Sequence, residues 1–381
     1  MDHSLLPRPH RPTRFWYRSG APGGDRLFNL ALRVLFAMFG VGWTWGIAVA
    51  AETGARPAAA ERLTANPFSR SAPAEAAFVM DALLRSFADV DELRGISGDV
   101  RVVVTEIGQR LELPLPDSLP AGVTVELRPI VAGVLDRSGP GHPVDSAAFA
   151  PGRAGVWAVT LNADGRIEEV TDVRVIVQVP AGERREGRIG AYNIGEWPFE
   201  GGRRPPSEAY ATPRGFVEVT PENMAMPVSE HFALGDFLTK GQADVWPKYV
   251  VLSPNLLDKL ELTLQQLEAD GHAVERVGII SGFRTPWYNA HGGNTEGRGS
   301  LSRHMYGDAM DFYVDNDGDG AMDDLSGDGR VDVADARVLA AAADAVEKQN
   351  PELVGGVGIY RPTGAHNGFV HLDTRGYRAR W

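Results

Sequence analysis

Two short segments near the end of the chain carry side chains that could bind a metal ion. One contains His304 and, seven residues later, Asp311; the other contains His371 and Asp373. Two imidazoles and one carboxylate are the ligand set of a catalytic zinc site, which keeps its fourth position for water. If these side chains converge, they predict a zinc hydrolase.

The local pattern predicts how these side chains are presented. A turn at Gly307 followed by a strand would bring Asp311 back toward His304. On a later strand His371 and Asp373 share a face, because successive side chains of a strand alternate. Asp373 could therefore support a ligand from behind or accept a proton beside the metal.

An aspartate-rich run, residues 315–335, begins four residues after Asp311 and could bind calcium. Its second part has the spacing of an EF-type loop, whereas its first part has Ser326 at the last ligand position and is a weaker match. Its eight aspartates against one arginine would repel one another without a cation, although a solvated acidic loop is the alternative. The predicted calcium ligands are Asp324, Ser326, Asp328, Arg330 (backbone carbonyl), Asp332 and Asp335 in the second part, and Asp315, Asp317 and Asp319 in the first.

The composition limits the class of protein. The chain has 381 residues, no cysteine, a net charge of -12 and a pI of about 5.3. An acidic balance disfavours a nucleic-acid partner, because binding phosphates needs a basic face. Without cysteine there are no disulfides or thiolate metal sites, so any metal must be held by histidine and oxygen ligands.

Residues 1–51 predict export from the cytoplasm. Arginines up to Arg33 precede an uncharged run, residues 34–51, which contains Ala48-Val49-Ala50, a cleavage-type pattern. The segment is a cleaved signal peptide or an uncleaved membrane anchor, because about 18 apolar residues is near the lower limit for spanning a bilayer. A buried core helix is the third alternative, and the basic flank argues against it. Contact with a membrane is expected only through this segment, if it is uncleaved.

The rest of the chain divides by composition. Residues 52–97 predict a linker that could contain a short helix, and 98–180 a β-sandwich-like domain of short β-branched strands. Residues 181–215, rich in Gly, Arg and Pro, predict a second linker, although its aromatic stretch, residues 192–199, could pack on a domain. Residues 216–381 predict an α+β unit with a small antiparallel sheet and flanking helices, one of which starts at Ser253-Pro254.

The 216–381 unit resembles the zinc D-Ala-D-Ala carboxypeptidases and the related murein endopeptidases. The wider group includes the lysostaphin-type peptidases and the hedgehog signalling domain. The matching residues are Ser229-Glu230-His231-Phe232, Ser281-Gly282-Phe283-Arg284-Thr285-Pro286 with Asn289, Ser302-x-His304-x-x-Gly307-x-Ala309-x-Asp311, Gly355-Gly356-Val357-Gly358-Ile359-Tyr360, and Phe369-Val370-His371-Leu372-Asp373 with Arg378 and Trp381.

The resemblance implies zinc bound by His304, Asp311 and His371. It also implies that Arg284 lies beside the substrate, where it could hold a carboxylate or an oxyanion; the alternative is an arginine that pairs with an aspartate and pins its loop.

The resemblance leaves two candidates for the base. In the vancomycin-resistance type of carboxypeptidase a glutamate three residues before the last histidine serves as base, and Gly368 stands there in this chain. The His-x-Asp pattern resembles the murein endopeptidase branch instead. Asp373 is therefore the first candidate for the base and His366 the second, unless Asp373 only orients a ligand.

These features together predict an exported zinc peptidase, periplasmic or in the cell envelope, that cleaves peptidoglycan stem peptides or cross-links containing D-amino acids. The alternative is a non-catalytic, zinc-stabilised binding module. A third interpretation gives the functional role to residues 98–180, as a wall-polymer or protein-docking module.

Overall fold

The computed structural model describes residues 100–381, except residues 112, 114–118, 120, 146–147, 294, 296–297 and 364–365. The predicted signal or anchor and the linker at 52–97 lie outside the described residues. The described chain is mixed α and β, with several small sheets and few helices. Among the described helices, none is both long enough and apolar enough to cross a bilayer.

Residues 101–177 form one six-stranded sheet. Its strands follow the order β1-β6-β5-β2-β3, with β4 also paired to β2, and only the β1–β6 pair is parallel. The strands are β1 (Arg101–Thr105), β2 (Val123–Val131), β3 (Val134–Leu135), β4 (His142–Val144), β5 (Gly155–Ala163) and β6 (Arg166–Val177).

The prediction of a β-sandwich for residues 98–180 was wrong, because the described strands at 101–177 form one sheet and not two. Val173, Val175 and Val177 of β6 are buried on one face, as the alternation predicts. Ile176 on the opposite face is also buried, in the hydrophobic core that residues from the second half of the chain form. The sheet therefore packs on the rest of the chain, where a second sheet was expected.

The segment 181–215 is a packed part of the structure, although its composition predicted a linker. Tyr192, Ile194 and Trp197 are each at most 1% exposed and belong to the same core. Aromatic side chains bury large apolar areas, which explains why this Gly- and Pro-rich segment is held in place. The short strands in and around this segment are β7 (Val179–Pro180), β8 (Arg188–Ile189), β9 (Tyr192–Asn193), β10 (Gly215–Val219) and β11 (Lys248–Val250).

A five-stranded sheet carries the candidate site. Its order is β12-β13-β15-β14-β16, and all pairs are antiparallel except β14–β16. Helices α1 and α3 pack against each other, and α3 also packs on the sheet. The elements are α1 (Pro254–Ala269), β12 (Val277–Ser281), α2 (Pro286–His291), β13 (Ala309–Val314), α3 (Val333–Gln349), β14 (Gly356–Tyr360), β15 (Phe369–Asp373) and β16 (Ala379–Arg380).

One long helix begins where the sequence predicts, and an aspartate cap marks the start of the other. Ser253 precedes α1 and Pro254 is its first residue, a position where the missing N–H costs nothing. Asp332 caps α3 by accepting a hydrogen bond from the N–H of Ala334. The leucines of α1 recur at three and four residues and are all buried, at Leu256, Leu257, Leu260, Leu264 and Leu267.

Candidate metal centre

The three predicted zinc ligands come together at one end of the five-stranded sheet. His304 lies on the 3-10 helix Arg303–Tyr306, Asp311 on β13 and His371 on β15. Asp311 and His371 face each other across the antiparallel β13–β15 pair. All three side chains are buried, so solvent competes little for their donor atoms.

Small residues allow this convergence. Gly307 adopts a left-handed conformation (φ 70°) between the 3-10 helix and β13, and a Cβ there would collide with the carbonyl oxygen of Val251. This is the turn that the sequence predicted. Ala309 faces Asp373 in the β13–β15 register and leaves space for its carboxylate.

The donor atoms have spacings that suit a single ion. His304 Nε2 lies 3.2 Å from His371 Nδ1 and 3.2 Å from Asp311 Oδ1, and the latter two atoms are 2.7 Å apart. Ligands of a tetrahedral zinc with bonds of about 2.0–2.1 Å are roughly 3.3 Å from one another. Two of the three spacings match this value, so the residues fit a metal ion as a set.

Hydrogen bonds on the far side of each imidazole fix which nitrogen faces the centre. His304 Nδ1 donates to the carbonyl oxygen of Gly282 at 2.7 Å, which leaves the lone pair of Nε2 free. His371 Nε2 donates to Asp373 Oδ2 at 3.0 Å, which directs Nδ1 toward Asp311. Partners of this kind orient metal-binding histidines and set their tautomers.

The charges of the centre are strongly coupled. Burial lowers the pKa of His304, which favours the neutral imidazole that a metal requires. Burial would also lower the pKa of His371, but hydrogen bonds to Asp311 and Asp373 outweigh it and raise that pKa to about 9. Burial opposes ionisation of Asp311, yet His304 and His371 hold its pKa below the ordinary value.

Arg284 contacts both the centre and its surroundings. Its Nη2 donates to Asp311 Oδ2 at 2.7 Å, and its Nε donates to Ser281 Oγ at 2.8 Å. It also lines the cavity beside the centre, where Nη1 makes no hydrogen bond with the described residues. The pairing with an aspartate that the sequence left as an alternative is therefore present, in a residue that also lines the cavity.

Asp373 lies behind His371, on the side away from the three donor atoms. Its side chain is fully buried and accepts hydrogen bonds from His371 Nε2, from the N–H of Gly356 at 2.8 Å and from Arg375 Nε at 2.9 Å. Burial by itself would raise its pKa, but His371 and Arg375 hold the pKa of Asp373 below the ordinary value. This position favours a role in orienting His371. From the sequence, the first expectation was the other role, in which Asp373 is the base.

A cavity of about 500 Å³ opens beside the centre. His366, the second candidate for the base, lines it and is only partly buried, with its Nδ1 2.8 Å from the carbonyl oxygen of Asn367. Among the described lining residues, Asp311 is the sole carboxylate, in contrast to four arginines. These are Arg284, Arg298, Arg303 and Arg375, and Tyr360, Phe369 and Trp381 add aromatic surface.

The aspartate-rich run holds its carboxylates differently in its two parts. In the first part, carboxylate oxygens of Asp315, Asp317 and Asp323 lie close enough to bind one ion. In the second part, Asp324 accepts from the N–H groups of Gly327 and Gly329, and the described carboxylates form no such trio. The part that the sequence rated as weaker is thus the one with convergent carboxylates.

A third group, Glu230, His231 and Glu261, could also hold a metal ion by distance. His231 Nδ1 lies 2.7 Å from Glu261 Oε2, and the N–H of His231 donates to Glu261 Oε1 at 2.8 Å. These contacts satisfy the buried Glu261 without an ion. They give His231 a structural role, as the partner of Glu261.

Two residues that support the centre were not singled out from the sequence. Arg375 holds the carboxylate of Asp373. The sequence indicated this only by placing a basic residue two positions after Asp373. Lys259 is completely buried and donates to the backbone oxygen of Asp373 at 2.7 Å. In the sequence this role was indicated only by the spacing, which places a lysine three residues after Leu256 on the apolar face of α1.

Comparison of the chain with protein-family models, with curated proteins and with solved structures found no match in any of the three. The likeness to the cell-wall peptidases therefore depends on the motif residues alone. Three of those residues, His304, Asp311 and His371, form the group described above, and its side chains could hold a metal ion.

Proposed function

We propose that this protein is an exported zinc peptidase that hydrolyses D-amino-acid-containing stem peptides or cross-links of bacterial peptidoglycan. The observation that carries the proposal is the convergence of His304 Nε2, Asp311 Oδ1 and His371 Nδ1 beside an open cavity. The motif resemblance supplies the substrate class, and the basic leader with residues 34–51 supplies the export signal.

Zinc is the metal that this donor set suits best. Two imidazoles with one carboxylate occur in catalytic zinc sites, whereas calcium and magnesium prefer oxygen ligands throughout. When bound, zinc lowers the pKa of a water molecule to about 7 and polarises the scissile carbonyl. The residues that would hold it are His304, Asp311 and His371.

The protein's own side chains divide the remaining tasks. Arg284 fixes Asp311 through Nη2 and offers Nη1 to a substrate carboxylate or to the oxyanion of the tetrahedral intermediate. His366 takes the proton of the attacking water, because it lines the cavity and Asp373 is enclosed behind His371. Asp373 keeps the His371 ring in orientation.

The charge of the cavity supports a peptide with free carboxylates. Three of the four described arginines of the lining are paired with aspartates, whereas Arg298 binds backbone carbonyls and has no ion pair among the described residues. A positive group in a cleft attracts ligands of the opposite charge. Stem peptides carry such carboxylates, and aromatic residues such as Trp381 offer apolar surface for their side chains.

Calcium in the 315–335 run completes the proposal. Asp315, Asp317 and Asp323 supply a convergent carboxylate group, and the second part of the run leads directly into the N-terminus of α3. One or two calcium ions there would neutralise the mutual repulsion of eight aspartates. The role of such an ion is structural, since the run is outside the described lining of the cavity.

Muropeptide chromatography tests the activity. Purified murein of several wall chemotypes is incubated with the zinc-loaded chain, with the chelated chain and with a His304→Ala variant. We expect new products with the zinc-loaded chain alone. The absence of new products across all chemotypes would refute the proposed hydrolysis.

A non-catalytic zinc-stabilised binding module is the second candidate, and Gly368 favours it. This residue has no side chain at the position where related carboxypeptidases have their base. A binder would retain its affinity for murein fragments in a His366→Gln variant and would produce no new muropeptides in either form. An enzyme would lose turnover in that variant and retain zinc.

A further inference from the structure

Lys259 is a buried charge at a position that the sequence pattern would give to an apolar residue. It lies on the leucine face of α1 and has no solvent exposure. Burying an ammonium group is unfavourable unless its hydrogen bonds and its countercharge are well placed, and an apolar pair often serves stability as well or better. Stability alone therefore does not explain a lysine at this position.

Its contacts lead to the strand that carries His371. Lys259 Nζ donates to Glu347 Oε1 of α3 at 2.6 Å and to the backbone oxygen of Asp373 at 2.7 Å. Glu347 Oε1 also accepts from the N–H of Gly355 at 3.0 Å, and Oε2 is bound by Arg380. One ion pair thus binds two backbone groups on neighbouring chain segments.

Those two segments hold the carboxylate of Asp373. The N–H of Gly356, the residue after Gly355, donates to Asp373 Oδ1 at 2.8 Å. Asp373 Oδ2 accepts from His371 Nε2 at 3.0 Å. The backbone at Gly355 approaches Asp373 so closely that a Cβ there would collide with the Asp373 carbonyl. A shift of either segment would therefore move the carboxylate relative to the imidazole.

We infer that the Lys259–Glu347 pair is a positioning device for the metal centre, which holds Asp373 so that it orients His371. The inference depends on the proposed metal centre, but the geometry that it concerns exists in the protein without metal. Lys259 and Glu347 themselves touch none of the three donor atoms. They act through the backbone at 355–356 and 373.

The first test compares Lys259→Met with Leu256→Ala in the full chain. Both changes affect the buried face of α1, but only the first removes the contact with Asp373. Zinc affinity, measured by competition with a chelator, is expected to fall about 10- to 100-fold in Lys259→Met, as for other losses of support behind a metal-binding histidine. Leu256→Ala should lower the melting temperature and leave zinc affinity unchanged.

A second readout needs no metal. The Nε2–H resonance of His371 in the metal-free chain, observed by nitrogen-15 NMR, is expected in the wild type and in Leu256→Ala. It should be shifted or lost by exchange in Lys259→Met. A wild type that binds no zinc would refute the proposed function but would leave this resonance as a test of the positioning role.

Two further variants keep the inference falsifiable if Lys259→Met does not fold. Glu347→Gln preserves shape and the contact with Asp373 but removes the countercharge, and we expect it to weaken zinc and shift the same resonance to a smaller extent. Lys259→Arg keeps a donor and should retain most of the affinity. Unchanged zinc affinity and an unchanged His371 resonance in folded Lys259→Met or Glu347→Gln would overturn the inference, as would equal losses in Leu256→Ala.

Discussion

The two candidate metal sites of this chain are built in opposite ways. At the His304 centre every ligand is buried and is held from behind by another group: the carbonyl of Gly282, the guanidinium of Arg284 or the carboxylate of Asp373. Such a centre is formed before a metal arrives. The ion then meets donors that are already oriented.

The aspartate-rich run is supported by its own backbone instead. Asp324 accepts hydrogen bonds from the N–H groups of Gly327 and Gly329, and Asp317 accepts from that of Asp319. Many of these carboxylates are exposed and repel one another. The difference teaches that the first site specifies geometry through its neighbours, whereas we expect the second to need a bound cation to offset its repulsion.

The largest expected effect separates catalysis from metal binding at the first site. His366→Gln should reduce the release of muropeptides by about 10²- to 10⁴-fold, the usual contribution of a general base, and leave zinc affinity unchanged. Rates from chromatography and zinc content from elemental analysis check this. His291→Gln, at the end of α2, is the matched control and should retain full activity. Unaltered turnover in His366→Gln would show that His366 is not the base.

The next effect tests whether support from behind matters at the buried site. Asp373→Asn should weaken zinc binding about 10- to 100-fold, because an amide can present its NH₂ group to His371 Nε2. Chelator competition measures this. Glu200→Gln, which removes the countercharge of Arg184, is a control that leaves the centre intact. Equal zinc affinities in Asp373→Asn and wild type would contradict the orienting role.

Calcium should stabilise the second site far more than it affects the first. At a concentration of 100 times its Kd, a bound ion adds about 2.7 kcal/mol to the unfolding free energy. We expect a higher melting temperature with calcium in the zinc-loaded chain, and a smaller rise in Asp317→Asn and in Asp328→Asn, which each remove a carboxylate from one part of the run. The exposed Glu352→Gln should respond like the wild type. A melting temperature that does not change when calcium is added would refute the proposed calcium site.

The smallest effect concerns the third group, which we interpret as structural. The hydrogen bond to Glu261 raises the pKa of His231. The ion pair therefore stabilises the fold fully below the pKa of an unfolded histidine, about 6.5, and its contribution is lost as the pH rises through the folded value. His231→Gln should cost about 1 kcal/mol near pH 6 and less near pH 9. Denaturant unfolding at both pH values, with His272→Gln as control, measures it; a cost that grows with pH would be the wrong sign.

The sequence predicted well wherever a feature is local. The Ser253-Pro254 start and the leucine spacing specify α1, and Gly307 specifies the turn between His304 and β13. These features depend on a few neighbouring residues, so period and turn chemistry suffice.

Features that depend on distant contacts were harder to predict. The register that places Asp311 opposite His371 joins residues 60 apart, and no local pattern encodes it. The burial of Trp197, whose Nε1 donates to the carbonyl of Met305, arises from tertiary packing of a segment without periodicity. The position of Asp373 behind His371 could not be distinguished from a place beside the metal, because both residues share one face of a strand.

The central claim is that His304, Asp311 and His371 together hold one zinc ion. Extended X-ray absorption of the zinc-loaded, calcium-free chain tests it most directly, with a His371→Ala variant as comparison. We predict one zinc per chain with two imidazole nitrogens and oxygen ligands at about 2.0–2.2 Å, and loss of this signal in the variant. A shell made only of oxygens, or an unchanged spectrum in His371→Ala, would contradict the account.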